Sequence, residues 1–369
     1  MKYLSFLIVS ILILCSSVSA QKYPATTAAV NGIKTVSNPE YPKDGIYDLV
    51  IDELFTLGTN DEKSGYYFVR PFEGAMDKEG NFYILDSQGK IIVFDKKGNF
   101  IRQFGQKGSG PGDFNFPSFF KITNDNKIVL LDCTNNRICY LDLYGKYLSG
   151  SIYKKMFMFL FLDSKNTPYS VSDEYKLPQI TEKMQYTPIT KIVQKYNKET
   201  EQWNPIASFE GEMRGMKRSG NYYTSESGIN AFYWNVSPKD FLISGFIEKY
   251  EFTKHSLDGK PLLKFGRKYS LIAKRDYNEA KDLSKYLSVF TRFNQCDAAG
   301  NYWVNLDLGD QPEYYIYDIF SADGIYLKQV YSKYRVNMVK GNFAFSVINN
   351  KDYTVNVKAF KYSLKKREK

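Results

Sequence analysis

Residues 68–104 read FVRPFEGAMDKEGNFYILDSQGKIIVFDKKGNFIRQF. Four short segments in this stretch alternate apolar and polar residues, and turns that contain Gly and Asp separate them. This pattern is typical of four antiparallel strands that follow one another along the chain. The tetrad GNFY at residues 80–83 begins the second of these strands, and echoes of it occur as GNYW at 300–303 and GNFA at 341–344.

The tetrad belongs to a longer repeat. Degenerate copies of the same strand start lie at 126–130, 167–171 and 238–243, so that six copies recur at intervals of 41 to about 71 residues. Such a period is typical of a circular or linear array of small sheets. Around these copies the sequence predicts five complete four-stranded units, at 68–104, 117–149, 157–209, 230–265 and 291–331.

The sixth unit, residues 335–360, supplies only three strands. Residues 47–58, YDLVIDELFTLG, have the character of an outer strand and lead directly into the first complete unit. We therefore expect this N-terminal strand to complete the sixth unit, which would close the ring and cover two strand edges at once.

The segment from Asp86 to Leu148 resembles two consecutive NHL-type repeats of bacterial six-bladed β-propeller proteins. The turns that recur in it are Asp95–Gly98 and Asp142–Gly145, and similar turns follow at Asp258 and Asp323. The resemblance implies an all-β fold of six four-stranded antiparallel blades around a channel, closed by the N-terminal strand. Members of that family include enzymes, receptors and scaffolds, so the fold alone does not assign a function.

The N-terminus has the pattern of a secretory signal. Lys2 precedes an apolar stretch from Leu4 to Cys15, and small residues follow before Gln21. We expect residues 1–20 to be a cleavable signal peptide, 21–45 a lead segment, 46–364 the propeller and 365–369 a basic tail. The mature chain would then be secreted, periplasmic or at the cell surface, without a transmembrane segment. Two alternatives stay open: an uncleaved anchor, and lipidation of Cys15, although the preceding Leu14 departs from the usual small residue.

Charge and cysteine content set further expectations. The formal net charge of +10 is spread over 369 residues, which indicates a solvated surface more than a nucleic-acid site. RNA binding would also conflict with export.

Cys133 and Cys139 flank a short turn, and their sulfurs would face each other only across a three-residue loop. Loops of two or four residues would point the two side chains in opposite directions.

The order of strands in a meander puts two kinds of connection on opposite sides of a ring. Turns between first and second and between third and fourth strands lie on what we call the first face. Turns between second and third strands and the crossovers between blades lie on the second face. Apart from one longer loop on the first face, near 197–203, the long connections are predicted on the second face, at 105–117, 173–188, 210–229 and 266–290. Since binding sites concentrate in long loops on rigid scaffolds, we expect the site there.

Two of these long connections contain residue patterns that suggest a role. A predicted loop at 213–223 carries the candidate ligand-binding residues Arg214, Lys217, Arg218, Tyr222 and Tyr223. Cations beside aromatics could hold an anionic sugar, a peptide carboxylate or a single-stranded nucleic acid; the alternative is a solvated loop that packs on its own blade. Residues 273–287 have apolar residues at helical spacing and predict a short helix over the second face.

Patterns that suggest catalysis are weak. The glycines at 105, 108, 110 and 112 lack the Gly-Lys-Ser/Thr ending of a phosphate loop and lead into a strand, which predicts a blade crossover. Asp86 and Asp132 occupy equivalent strand ends, where they could cap turns or, as weak candidates, hold calcium. His255 is the only histidine, in a predicted third strand. That scarcity argues against the zinc-dependent lyases and lactonases that share the fold.

These observations favour an exported, monomeric propeller that binds a protein or carbohydrate ligand through its loop-rich face, without catalysis or cofactor. The alternative is a calcium-dependent hydrolase or lactonase-like enzyme that uses carboxylates near the channel.

Overall fold

The computed structural model describes residues 23–58, 65–153, 160–176, 181–220, 222–229, 232–246, 249–269, 295–306, 313–351 and 354–368. In these ranges the regular elements are 27 strands. Three strands precede the first complete blade: β1 (Thr26–Val30), β2 (Ile33–Asn38) and β3 (Gly45–Leu57). The predicted signal peptide and the predicted helix at 273–287 lie outside the described residues.

The next strands form the first three blades in chain order. Blade 1 comprises β4 (Pro71–Met76), β5 (Phe82–Asp86), β6 (Lys90–Phe94) and β7 (Phe100–Phe104). Blade 2 comprises β8 (Pro117–Ile122), β9 (Ile128–Asp132), β10 (Arg137–Leu141) and β11 (Tyr147–Ile152). Blade 3 comprises β12 (Leu160–Leu162), β13 (Pro168–Glu174), β14 (Gln185–Asn197), β15 (Gln202–Ser219) and β16 (Tyr222–Ile229).

The remaining strands form three further blades. Blade 4 comprises β17 (Phe232–Ser237), β18 (Phe241–Phe246), β19 (Glu251–His255) and β20 (Pro261–Arg267). Blade 5 comprises β21 (Gln295–Cys296), β22 (Tyr302–Asn305), β23 (Tyr315–Phe320) and β24 (Tyr326–Ser332). Blade 6 contains β25 (Asn337–Lys340), β26 (Phe343–Asn349) and β27 (Val355–Lys366).

The N-terminal strand β3 completes blade 6, as the sequence predicts. It pairs antiparallel with β27, from Tyr47 opposite Lys366 to Leu57 opposite Val357. The start of β3 also pairs in parallel with β24, so blades 5 and 6 share one eight-stranded sheet. The ring is thus closed by strand pairing between the two ends of the chain.

The first two strands add an element that the sequence analysis did not foresee. Within the predicted lead segment, β1 and β2 form a hairpin whose turn is Asn31–Gly32. Strand β2 pairs in parallel with β20, which extends the sheet of blade 4 to six strands. The buried Asn38 fixes this addition, because its Nδ2 donates to the carbonyls of Gly266 and Gly324 at 2.8 Å each.

The core is divided among the six junctions between neighbouring blades. One apolar cluster occupies each junction; many of its members come from the second and third strands of the two blades, and first and fourth strands contribute others. At the junction of blades 1 and 2, for example, Leu85 and Ile91 pack with Leu130 and Cys139. Because each sheet buries both of its faces against neighbours, these strands are apolar throughout and not alternately polar.

The recurring tetrad closes the turn between the first and second strands of a blade. In blade 1 Asp77 Oδ1 accepts from Asn81 N and Asp77 Oδ2 from Asn81 Nδ2, both at 2.8 Å. In blade 5 Asp297 binds Asn301 in the same way, and its Oδ2 also accepts from Trp303 Nε1 at 3.1 Å. Gly80 and Gly300 precede these asparagines with φ of +89° and +84°, a conformation that favours glycine.

Cys133 and Cys139 lie on opposite faces of blade 2. Strands β9 and β10 pair with Asp132 opposite Arg137 and Leu130 opposite Cys139, which leaves a four-residue loop at 133–136. Cys133 lies in the cluster between blades 2 and 3, whereas Cys139 lies in the cluster between blades 1 and 2. The two thiols therefore point in opposite directions and do not form a disulfide. In the part of the chain that the structure describes, no helix is long and apolar enough to cross a bilayer.

Candidate functional site

A central channel runs through the ring. The first strand of each blade lines it, and its cavity volume is about 1670 Å³. Turns such as the one that follows Asp77 surround the mouth on the first face. The end of β13 and the middle of β15 lie at the mouth on the second face.

Blade 3 projects from the second face. Strands β14 and β15 have 13 and 18 residues, against five or six in each strand of blade 1, and β16 adds a third strand to the projection. We call residues 184–190, 211–219 and 222–229 the arm. Extended segments of this length reach roughly 23–30 Å.

The prediction of a loop at 213–223 was wrong, since residues 213–219 belong to β15 and Tyr222 and Tyr223 begin β16. Strand β15 continues to Ser219, and β16 returns beside it with Tyr223 opposite Arg218 and Thr224 opposite Lys217. On the other side of β15, Arg214 pairs with Thr187 of β14. From Met213 to Met216, β15 thus has a paired strand on each side, which a solvated loop would not provide.

The five candidate residues do not form one cluster. Side chains alternate along a strand, so Arg214 and Arg218 lie on one side of the arm and Lys217 on the other. By the pairing of β14, β15 and β16, Lys217 shares its side with Tyr186 and Tyr222. Tyr222 is 79% exposed, and Arg218 Nε donates to the Gly220 carbonyl at 2.9 Å near the tip. Tyr223 is placed by its backbone pairing with Arg218 alone.

Charged side chains that the sequence analysis missed join the base of the arm to the channel mouth. Lys191 Nζ lies 2.9 Å from Asp173 Oδ1 and 3.2 Å from Glu212 Oε2. Arg214 Nη2 lies 2.6 Å from Asp173 Oδ2, and all four side chains line the channel. We call this group the mouth network. Its two acids and two bases balance, so Arg214 stabilises the arm and is not a free cation for a ligand.

No local sequence motif identifies the mouth network, because its members are separated by up to 41 positions in the sequence. The signal available in the sequence is the pairing of β13 with β14, which sets Asp173 opposite Lys191. Tyr175 extends the network, since the Arg214 guanidinium lies 5.3 Å from the centre of its ring.

The carboxylates of Asp86 and Asp132, the weak calcium candidates, accept hydrogen bonds from backbone N–H groups. Asp86 Oδ2 accepts from Val69 N and Arg70 N at 2.9 and 2.8 Å, and Asp86 Oδ1 accepts from Gln88 N at 3.0 Å. Both carboxylates are buried. Within the described residues, no group of three or more His, Cys, Asp or Glu is placed to hold a metal ion.

Asp132 holds the start of blade 2 in the same way. Its Oδ1 accepts from Asn115 N at 2.9 Å, and its Oδ2 accepts from Asn135 Nδ2 at 2.7 Å and Arg137 Nε at 3.2 Å. The Arg137 guanidinium also donates to the carbonyls of three residues of the glycine-rich connection, Ser109, Gly110 and Asp113. The glycine run is therefore a crossover from β7 to β8.

Titratable groups inside the ring have shifted pKa values. Burial raises the pKa of Glu73, on the channel wall, to about 7, and the Lys121 ammonium opposes this shift. Burial lowers the pKa of Lys121, with Glu73 opposing. Cys296 also lines the channel, and burial raises the pKa of its thiol to about 12, which makes it a poor nucleophile.

His255 belongs to the core of blade 4. It is 4% exposed, its Nε2 lies 2.9 Å from Ser244 Oγ, and its Nδ1 lies 3.3 Å from the Gly259 carbonyl. Burial lowers its pKa, and the Gly259 carbonyl opposes this. These contacts tie β18, β19 and the following turn together.

Comparison with known families agrees with this architecture. Residues 75–215 match the family DUF5128, described as a 6-bladed β-propeller. The chain is a six-bladed β-propeller. The match covers rather more than a third of the chain, from the second half of β4 through the base of the arm.

Individual proteins resemble this propeller over different lengths. The human E3 ubiquitin-protein ligase NHLRC1 is 31% identical over 70 residues, which are 19% of this chain and 18% of that protein. The chain thus matches about a fifth of the length of this curated relative.

Two solved structures from Bacteroides share the fold. A B. fragilis protein assigned as exported has a TM-score of 0.50 and 13% identity, over 90% of this chain and all of that one. A member of the DUF4221 family from B. vulgatus has a TM-score of 0.50 and 10% identity, over 87% of this chain and 99% of that one.

Proposed function

We propose that this propeller is exported and binds a protein or glycan partner at its second face, without catalysing a reaction. The observation that carries the proposal is the arm, a three-stranded projection that one blade builds beside the channel mouth on that face. The export signal pattern at residues 1–20 supports the location. Asp86 and Asp132, the weak calcium candidates, already accept hydrogen bonds from backbone and side-chain N–H groups.

The surface of the arm has the composition of a recognition surface. Tyr186 and Tyr222 are exposed and share one side with Lys217. Tyrosine gives a large contact area for little loss of side-chain entropy, and its hydroxyl can hydrogen-bond to either a peptide or a sugar. The neighbouring cation favours a partner that carries carboxylates.

The mouth network gives the arm a rigid base. Glu212 is buried, and its Oε2 accepts from Phe232 N at 2.8 Å in addition to the Lys191 ion pair. This bond joins β15 to the first strand of blade 4. A site that is fixed before binding loses less conformational entropy on association.

The test is a binding screen on glycan and protein arrays with the chain from Gln21 onwards. The variant Tyr186→Ala/Lys217→Ala/Tyr222→Ala removes one side of the arm, and Arg218→Ala probes the other. Tyr41→Ala/Lys96→Ala/Tyr144→Ala is a control of equal composition at exposed positions away from the arm. We expect the first variant to bind at least tenfold more weakly and the control to match the wild type. Equal binding by all of these proteins would reject the arm as the site.

A further inference from the structure

Phe116 has an unusual backbone conformation for its side chain. Its φ is +62°, and the other non-glycine residues with positive φ in the described ranges are five Asn or Asp residues and one Glu. A bulky residue is strained in this region, and the following Pro117 restricts its backbone further. Its ring is nonetheless 61% exposed, so burial of the ring does not compensate for the strain.

The chain on both sides of Phe116 imposes this conformation. Phe114 is 1% exposed, and Asn115 N donates to the buried Asp132 carboxylate at 2.9 Å. The Phe116 carbonyl accepts from Cys133 N at 3.2 Å, and the buried Pro117 then begins β8. Glycine or asparagine would adopt the same φ with less strain. Backbone strain that the surroundings impose is concentrated at functional sites.

The segment that enters the neighbouring blade 1 on the same face also exposes apolar side chains. Arg70 occupies the position before blade 1 that corresponds to Phe116, since it precedes Pro71 and its carbonyl accepts from Ser87 N at 3.1 Å. The preceding Val69 is 47% exposed, and Tyr67 is 50% exposed. Lys90 Nζ lies 2.9 Å from Tyr67 Oη. The turn before Lys90 packs closely on the glycine-rich crossover, because a Cβ on Gly89 would lie 2.9 Å from the Phe114 carbonyl oxygen. We call Tyr67, Val69 and Phe116 the anchor patch.

The anchor patch has a basic border. Arg70 and Lys107 are exposed beside it, and Lys90 lies 4.1 Å from the centre of the Tyr67 ring. The whole chain carries a formal net charge of +10. An apolar centre with a basic border complements a partner that presents an apolar side chain flanked by carboxylates.

We propose that the anchor patch is the docking point for a protein partner of this chemistry, with Phe116 as its central contact. The inference rests on the proposed function, since it identifies the class of partner and a second contact region on the same face. A protein is favoured over a glycan because Val69 and Phe116 have no side-chain hydrogen-bonding group, and sugars require such groups in addition to stacking. Aromatic anchors at the centre of an interface carry much of its affinity.

The first experiment measures stability and needs no partner. Phe116→Gly and Phe116→Asn relieve the backbone strain and remove an exposed ring, so we expect the thermal midpoint to stay the same or rise. Phe114→Ala, two positions away and buried, should lower it. A lower midpoint for both Phe116→Gly and Phe116→Asn would overturn the inference, because the ring would then stabilise the fold.

The second experiment selects ligands from a random 12-residue peptide-display library with the chain from Gln21 onwards. We expect enriched peptides with an apolar residue flanked by Asp or Glu, and at least tenfold weaker binding to Phe116→Gly, with Tyr144→Ala on the first face unchanged. Undiminished binding to Phe116→Gly overturns the inference; if the arm variant then loses binding, the proposed function still stands. If the wild type binds neither peptides nor arrayed glycans and proteins, both proposals fail.

Discussion

Asp86 and Asp132 illustrate how single buried residues position the second face. Each carboxylate ends the second strand of its blade and accepts the N–H groups of the crossover that enters the same blade. An ionised carboxylate without such donors would be costly to bury. The crossovers of blades 1 and 2, and with them the anchor patch, are thus fixed by residues that contact no ligand.

Asp132→Ala tests this role. The change removes the acceptor for Asn115 and Asn135 and leaves Arg137, whose side chain is 13% exposed, without its ion pair. We expect the free energy of unfolding to fall by about 3 kcal/mol, the usual range for breaking a buried pair. Urea denaturation measures it. Asp125→Ala is the control, because its pair with Lys127 is about half exposed and should contribute less than about 1 kcal/mol. Similar small losses in both variants would contradict the role of Asp132.

The pKa of Glu73 predicts a pH dependence of stability. Its folded-state value of about 7 lies above the ordinary value of 4.5, so the folded protein binds more protons between these limits. The contribution of Glu73 is therefore full below about pH 4.5 and is lost as the pH rises through 7. We expect Glu73→Gln to be more stable than the wild type at pH 8, by on the order of 1–2 kcal/mol because the side chain is partly exposed to the channel. Thermal unfolding of both proteins at pH 5 and pH 8 checks this, and a constant difference between them would refute it.

At the scale of elements, the sequence predicts the blades well and the arm poorly. The blade strands are short, apolar and bounded by Asp and Gly turns, so local pattern is sufficient to find them. Residues 210–229 contain Gly, Ser and several charges, which locally favour a loop. Their strand structure depends on pairing with β14, up to 31 positions away between Gln185 and Met216, and no local pattern reports such pairing. The hairpin of β1 and β2, by contrast, had a usable signal, since Asn-Gly favours a two-residue hairpin turn.

The arm should unfold separately from the ring, and Gly215→Val tests this. A Cβ at Gly215 would lie 2.8 Å from Met184 Sδ and 3.0 Å from the Tyr186 ring, so valine would push β14 and β15 apart. We expect cleavage within the arm by limited proteolysis to quicken at least fivefold, while the thermal midpoint of the ring changes by less than about 2 °C, because locally opening segments contribute little to global stability. Lys217→Val, on the same side of β15, is the matched control. A large fall in the midpoint for Gly215→Val would show that the arm and ring unfold together.

At the scale of the whole molecule, stability depends on neighbours all the way round. Each blade buries its two faces against adjacent blades, so opening one junction exposes apolar surface on both sides of it. The junction of blades 6 and 1 illustrates the point, since Leu57 of β3 and Val357 of β27 pack there with Ile84 and Ile92 of blade 1. The sequence predicts this closure because blade 6 lacks a strand that residues 47–58 can supply. It does not predict that β3 and β2 also extend along blades 5 and 4, because parallel pairing between strand edges leaves no local pattern.

Truncation from the N-terminus separates closure from the rest of the N-terminal region. A chain that begins at residue 59 lacks β1, β2 and β3, which leaves the edges of β20 and β27 unpaired and removes the buried Leu57 from its junction. Burial of one leucine is worth about 2 kcal/mol, and the lost strand pairing adds to it, so we expect the thermal midpoint to fall by more than about 10 °C or the chain to aggregate. A chain that begins at residue 44 lacks β1 and β2 but keeps β3, and we expect its midpoint to fall less than that of the chain that begins at residue 59. The difference between these two chains measures the contribution of β3. Scanning calorimetry of the three chains decides between the outcomes. If removal of β3 left the midpoint unchanged, the ring would be held by its inner strands alone, and the pairing of β3 with β27 would not be what keeps blade 6 in place.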